Sequence, residues 1–137
     1  MPGVAYLDSS ALTKLLMPEA ESSALEVEIL DKDGLVSSRL SVAECGRALL
    51  RAGRKAEGDV VDQVFGAFFL LDVSTGLLES AARLEPPFLR ALDAIHVSTA
   101  LSVADPSLTF ITYDRRMADA ARAHGLTVVQ PGRGPQA

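Results

Sequence analysis

The sequence predicts an α/β protein, a three-layer α/β/α sandwich around a mostly parallel sheet of five strands. Two observations lead there. Short, nearly all-apolar runs alternate with stretches of helical period, and that order implies parallel pairing with helices on both sheet faces. The runs, Val4–Leu7 most clearly, have the apolar character of strands buried on both sides. A third observation concerns function. Asp8, Glu44, Asp93 and Asp114 each fall where a strand gives way to a helix or within a helix's first turns, and such positions converge at the carboxyl edge of an open parallel sheet.

Each element has a local reason. Val4–Leu7 is the first strand, and Asp8-Ser9-Ser10 provides capping side chains for a short helix over Ala11–Met17, stopped near Pro18. Glu19–Lys32 carries a 3.6 period through Leu25, Val27, Ile29 and Leu30 until Gly34 breaks it. Leu35–Ser38 is the second strand. Ser41 then caps a helix running to about Gly53, and Ser41-Val42-Ala43-Glu44 has the capping-box spacing. Ala56–Phe68 reads as helix, Phe69–Val73 as the third strand, and Thr75–Leu84 as a helix ended by Pro86-Pro87. Leu89–Ala104 is the clearest helix, closed by Asp105-Pro106. Leu108–Thr112 is the fourth strand, Arg115–His124 a helix with Gly125 at its end, and Thr127–Gln130 the fifth strand. One domain over 1–130 with a flexible tail over 131–137 follows.

Composition narrows the function classes. The 48% apolar and 23% charged fractions are those of a soluble globular domain. No apolar run nears the roughly 18 residues that span a bilayer, and Met1-Pro2-Gly3 enters the first strand without a secretory signal pattern. A cytoplasmic protein is therefore expected. The single cysteine, Cys45, excludes an internal disulfide and a cysteine-rich zinc site. A net charge of −5 argues against nonspecific coating of nucleic acid. It does not argue against a nucleic-acid enzyme whose acids bind cations, because a bound divalent ion reverses the local sign.

Taken singly, each acid has an ordinary role. Asp8 and Asp114 suit helix N-caps, Glu44 suits the capping box, and Asp93 suits the positive end of a helix. Asp93 nevertheless lies among Leu92, Ala94 and Ile95, and a carboxylate partly buried by such neighbours needs a cation, a donor or a metal. Taken together, four carboxylates gathered at one edge stay ionised only with cations between them. An all-oxygen donor set selects Mg²⁺ or Mn²⁺ over Zn²⁺. Asp119, further along the last helix, is a weaker candidate for a water-mediated ligand. His96, one turn after Asp93, is expected to be packed or at the surface rather than on substrate. Arg47 and Arg51 share a helix face with Glu44 and, with Lys14, Arg90, Arg115 and Arg116, offer a basic rim for phosphates or an ordinary solvated face. Val60, Val64 and Phe65 are apolar beyond what a small sandwich readily covers and suggest a partner surface.

These segments resemble the PIN-domain nucleases, and more narrowly the VapC-type toxin ribonucleases of toxin–antitoxin pairs. The resemblance rests on Tyr6-Leu7-Asp8-Ser9-Ser10-Ala11-Leu12, Leu40-Ser41-Val42-Ala43-Glu44, Leu92–Leu101 and Phe110-Ile111-Thr112-Tyr113-Asp114 followed by Ala118, in that order, from about Val4 to Val129. It implies a Mg²⁺- or Mn²⁺-dependent endoribonuclease acting on RNA such as tRNA or rRNA, a homodimer, and a cognate antitoxin. It also implies Asp8, Glu44, Asp93 and Asp114 as the catalytic acids, with Asp119 as the alternative fourth, and Ser9 and Thr112 as supporting hydroxyls.

Three rivals are weighed against this. A phosphoacceptor receiver wants paired acids after the first strand and an acceptor after the third, where Asp8 stands alone and Asp72 falls inside the expected strand. An aspartyl phosphatase wants an acid where Ser10 stands. A non-catalytic binding module would keep the fold without needing all four acids.

Overall fold

The computed structural model describes residues 2–134. Its five strands are β1 (Val4–Leu7), β2 (Gly34–Ser38), β3 (Phe69–Leu71), β4 (Thr109–Ile111) and β5 (Thr127–Val129). They pair in the order β3-β2-β1-β4-β5, every pairing parallel. Seven helices intervene: α1 (Ser9–Leu16), α2 (Ser22–Ile29), α3 (Leu40–Arg51), α4 (Asp59–Gly66), α5 (Thr75–Ala82), α6 (Ala91–Val103) and α7 (Arg115–Ala123). All the expected strands and helices are present.

Period-two alternation along β1 divides the core between the two faces. Ala5 and Leu7 pack with Leu12, Leu25, Leu49, Phe68 and Ile111 beneath α1 to α4. Tyr6 points the other way and packs with Val97, Phe110, Met117 and Ala121 beneath α6 and α7. Full burial of each large side chain in these layers stabilises the fold by about 1.5–3 kcal/mol. Cys45 is buried in the first layer, as its small neighbours suggested, and burial pushes its thiol up to about 12.

The strand order has a functional consequence. The chain moves outward from β1 through β2 to β3, then returns to the other side of β1 for β4 and β5. The crevice at such a reversal, between the carboxyl ends of β1 and β4, is where open α/β sheets bind ligands. Strand order also disposes of the receiver arrangement, which sets β1 beside β3; here β2 lies between them. Asp72 follows the end of β3 rather than lying within it, and its exposed carboxylate pairs with Arg39 at 2.6 Å.

Three local expectations are corrected. Ser41 does not form a capping box with Glu44: its hydroxyl is buried against Ser37 Oγ at 2.9 Å, while Glu44 is drawn to His96. The helix expected from Glu19 begins at Ser22, whose hydroxyl donates to Lys14 O and accepts from Glu19 N–H. Val27 and Leu30, expected on its core side, are 72% and 83% exposed. The segment after β5 begins with contacts: Tyr113 Oη donates to Pro131 O, and Arg133 donates to Tyr113 O and Glu21. Lys14 and Arg133 both lie over the Tyr113 ring, at 4.7 and 5.1 Å from its centroid. Residues 135–137 of the expected tail lie outside the described residues.

Candidate active site

Asp8 leaves β1 fully buried and is itself the N-cap of α1, its Oδ1 accepting from Ala11 N–H at 3.0 Å. Ser10 Oγ donates to the same oxygen at 2.7 Å, and Thr112 Oγ1 donates to Oδ2 at 2.6 Å. Each hydroxyl in turn accepts a backbone N–H from the end of β4: Ser10 from Tyr113 at 2.9 Å, Thr112 from Asp114 at 3.1 Å. The carboxylate is thus held by donors that are themselves held. Of the two hydroxyls expected near the acids, Thr112 is the one bonded to Asp8. Ser10, not Ser9, is the second hydroxyl on Asp8, because the second residue of α1 turns back over the cap; Ser9 lines the neighbouring groove instead.

Burial pushes the Asp8 carboxyl above its ordinary value, opposed first by the charge of His96 and then by the Thr112, Ser10 and Ala11 hydrogen bonds. Asp93, in the first turn of α6, is raised as well. Burial is the main cause, the nearby negative charges of Asp114 and Glu44 add to it, and Arg90 and His96 oppose it. Arg90 Nε lies 3.6 Å from Asp93 Oδ2. Asp114 caps α7, its Oδ1 accepting from Met117 N–H at 3.0 Å. Asp8, Asp93 and Asp114 therefore stand at the N-terminal ends of three helices, where the helix field favours negative charge.

Glu44, in α3, is mostly buried, and its Oε1 lies 2.6 Å from His96 Nε2. His96 is fully buried and reaches Tyr6 Oη through Nδ1 at 2.8 Å. Thr112 thus links Asp8 to the start of α7, where Asp114 stands, His96 contacts Glu44, and Asp93 lies within reach of the charges of Asp114, Glu44 and His96. Asp119 stands apart. It is 70% exposed and pairs with Arg122 on its own helix.

A groove of about 430 Å³ opens beside this cluster, lined by Ser9, Ser10, Thr13, Glu44, Arg47 and Arg51. Arg47 and Arg51 therefore share a concave surface with Glu44, as their helix spacing suggested. Arg90, Arg115 and Arg116 are exposed at the starts of α6 and α7, whereas Lys14 is buried in ion pairs with Glu19 and Glu21 and is not part of the rim. A larger cavity of about 580 Å³ between α5 and α6 contains none of the four acids.

The donor set suits a hard divalent cation. Every candidate ligand is a carboxylate oxygen, and Asp93 is raised by burial and, after it, by the like charges of Asp114 and Glu44. Among the described residues, no three His, Cys, Asp or Glu side chains are drawn into a ready-made chelate. Mg²⁺ does not require one, since it keeps several waters and takes one or two carboxylates directly.

His96, Tyr6 and Ser10 were not legible as site residues in the sequence. A signal existed for His96, which lies three residues after Asp93 and so on the same side of α6 one turn on.

A PIN domain family model matches residues 5–123 of this chain. Ribonuclease VapC46 of Mycobacterium tuberculosis is 41% identical over 126 residues, spanning 92% of this chain and 96% of that protein. Ribonuclease VapC35 of the same organism is 36% identical over 132 residues, spanning 93% of this chain and 97% of that protein. Among solved structures, the Mycobacterium tuberculosis VapC20 toxin, described as cleaving the sarcin–ricin loop, superposes with a TM-score of 0.69 over 93% of this chain and 99% of its own, at 14% identity. VapBC2 of Rickettsia felis, bound to a fragment of its promoter DNA, gives 0.58 over 93% of this chain and 98% of its own, at 13% identity. The chain belongs to the PIN-domain family, within its VapC-type branch.

Proposed function

We propose that this protein is a divalent-metal-dependent endoribonuclease, the toxin of a toxin–antitoxin pair. The observation that carries the reading is the convergence of Asp8, Glu44, Asp93 and Asp114 on the switch-point crevice, with Asp93 raised by burial and then by the charges of Asp114 and Glu44. The names of the relatives support it. In this reading Asp8 and Asp93 are the principal ligands of Mg²⁺ or Mn²⁺, while Glu44 and Asp114 complete the shell or orient water. The bound ion supplies a water of lowered pKa and offsets charge developing on the phosphate.

The chain's own residues do the rest. Thr112 and Ser10 fix the Asp8 carboxylate through two hydrogen bonds that leave it no free rotation. Arg47 and Arg51, beside Glu44, hold the phosphates of an RNA strand laid in the groove. A groove of this size suits a single-stranded or looped segment better than an intact helix. The α2–α4 side, where Val27, Leu30 and Val60 are exposed, suits an apolar segment of the antitoxin or a second copy of the chain.

Cleavage of a mixed tRNA and rRNA pool by the purified chain tests the activity. Discrete fragments with Mg²⁺ or Mn²⁺, lost with EDTA and in Asp93→Asn, are expected. Unchanged cleavage by Asp93→Asn would contradict the assignment.

A further inference from the structure

We infer that His96 is a positioning residue for Glu44, a buried strut between Tyr6 and the acid that aims Glu44 into the groove. The inference rests on the reading that these acids hold a divalent cation. Glutamate has three rotatable side-chain bonds, so an untethered Glu44 would sample many positions. Here Oε1 is held by His96 Nε2 at 2.6 Å, leaving Oε2 for the groove that Glu44 lines.

The strut is anchored at both ends. His96 is fully buried on α6, and its Nδ1 meets Tyr6 Oη at 2.8 Å. Tyr6 is fixed by β1 and by its ring, which stacks on Phe110 at 5.3 Å and meets His96 edge-on at 6.0 Å. An ionised carboxylate only accepts, so the contact with Glu44 places a ring proton on Nε2, and Nδ1 of the neutral ring then accepts from Tyr6 Oη–H. A doubly protonated ring also presents Nε2–H to Glu44. The contact therefore does not depend on the ring's charge. Partners that orient a metal-ligating carboxylate in this way affect metal binding without touching the ion.

Two substitutions separate this role from plain packing. In His96→Gln the side-chain amide reaches the former position of Nε2 and can donate to Glu44. In His96→Asn the amide falls near Nδ1, keeping a partner for Tyr6 and losing the one for Glu44. Mn²⁺ alone would be titrated into the whole 137-residue chain by calorimetry without RNA, with melting in EDTA as the folding control. His96→Asn is expected to weaken Mn²⁺ binding about 10- to 100-fold, and His96→Gln to recover most of it at a similar melting temperature. Tyr6→Phe, which keeps the core shape and removes only the hydroxyl, should weaken binding several-fold even if both His96 variants fail to fold. Equal Mn²⁺ affinity in wild type, His96→Asn and Tyr6→Phe would overturn the inference, as would equal losses in Asn and Gln at equal melting temperatures. A wild-type protein that binds no Mn²⁺ would overturn the metal reading itself, a result distinguishable because no variant could then weaken anything.

Discussion

Thr112 Oγ1 donates to Asp8 Oδ2 at 2.6 Å and thereby ties the end of β4 to the end of β1 across the crevice where ligands bind. Both residues are fully buried, so this bond is not exchanged for water. Replacing Thr112 by Val keeps the shape and leaves a buried carboxylate oxygen without its donor. The expected cost is about 1–3 kcal/mol in urea unfolding, together with loss of RNA cleavage.

The two serines after Asp8 should behave differently. Ser10→Ala removes a hydroxyl that bridges Asp8 Oδ1 and Tyr113 N–H, and should cost about 1–2 kcal/mol. Ser9→Ala leaves the backbone carbonyl that Thr13 uses and should change stability by less than about 0.5 kcal/mol. Paired melts of the two variants check this. The reverse ranking would restore Ser9 to the supporting role.

Asp8 and Asp93 both have folded-state pKa values raised above the ordinary 3.8. The sign follows from proton binding: between 3.8 and the raised value the folded state holds the proton that the unfolded state has released. The stability these groups contribute is therefore full below 3.8 and is lost as pH rises through the folded value. In EDTA, Asp8→Asn and Asp93→Asn should flatten that loss, and at neutral pH Asp93→Asn should be at least as stable as wild type. Melting temperatures across pH 3 to 8, on the order of the carboxylate range and above, give the test. A wild-type profile identical in slope to both variants would contradict it.

If Arg47 and Arg51 hold phosphates, Arg47→Ala and Arg51→Ala should raise KM for RNA with little change in kcat. Each lost contact should reduce the salt dependence of RNA binding by about 0.7 in log–log slope. Binding titrations at several salt concentrations would read this. Unaltered slopes would return both residues to the solvated surface.

The fold was legible because apolar runs and helical periods alternate regularly, and the four acids because Asp8 and Asp114 follow strands while Glu44 and Asp93 lie within the first turns of helices. What was not legible depended on partners distant in sequence. Ser41 and Glu44 have capping-box spacing, yet Ser37 and His96 outcompete the local bonds. Val27 and Leu30 fit a helical period but face outward, since α2 buries only Ser22 and Leu25. Ser10 could not be preferred over Ser9 without knowing that Tyr113 N–H approaches from β4. Lys14, expected on the rim, is instead held inward by Glu19, Glu21 and the face of Tyr113.

The most direct measurement is anomalous diffraction from crystals of the protein grown with Mn²⁺. The account predicts a peak at the crevice between Asp8 and Asp93, within reach of Glu44 or Asp114 and absent from Asp93→Asn crystals. A well-ordered crevice with no peak at saturating Mn²⁺, or a peak confined to another surface while RNA cleavage persists, would contradict it.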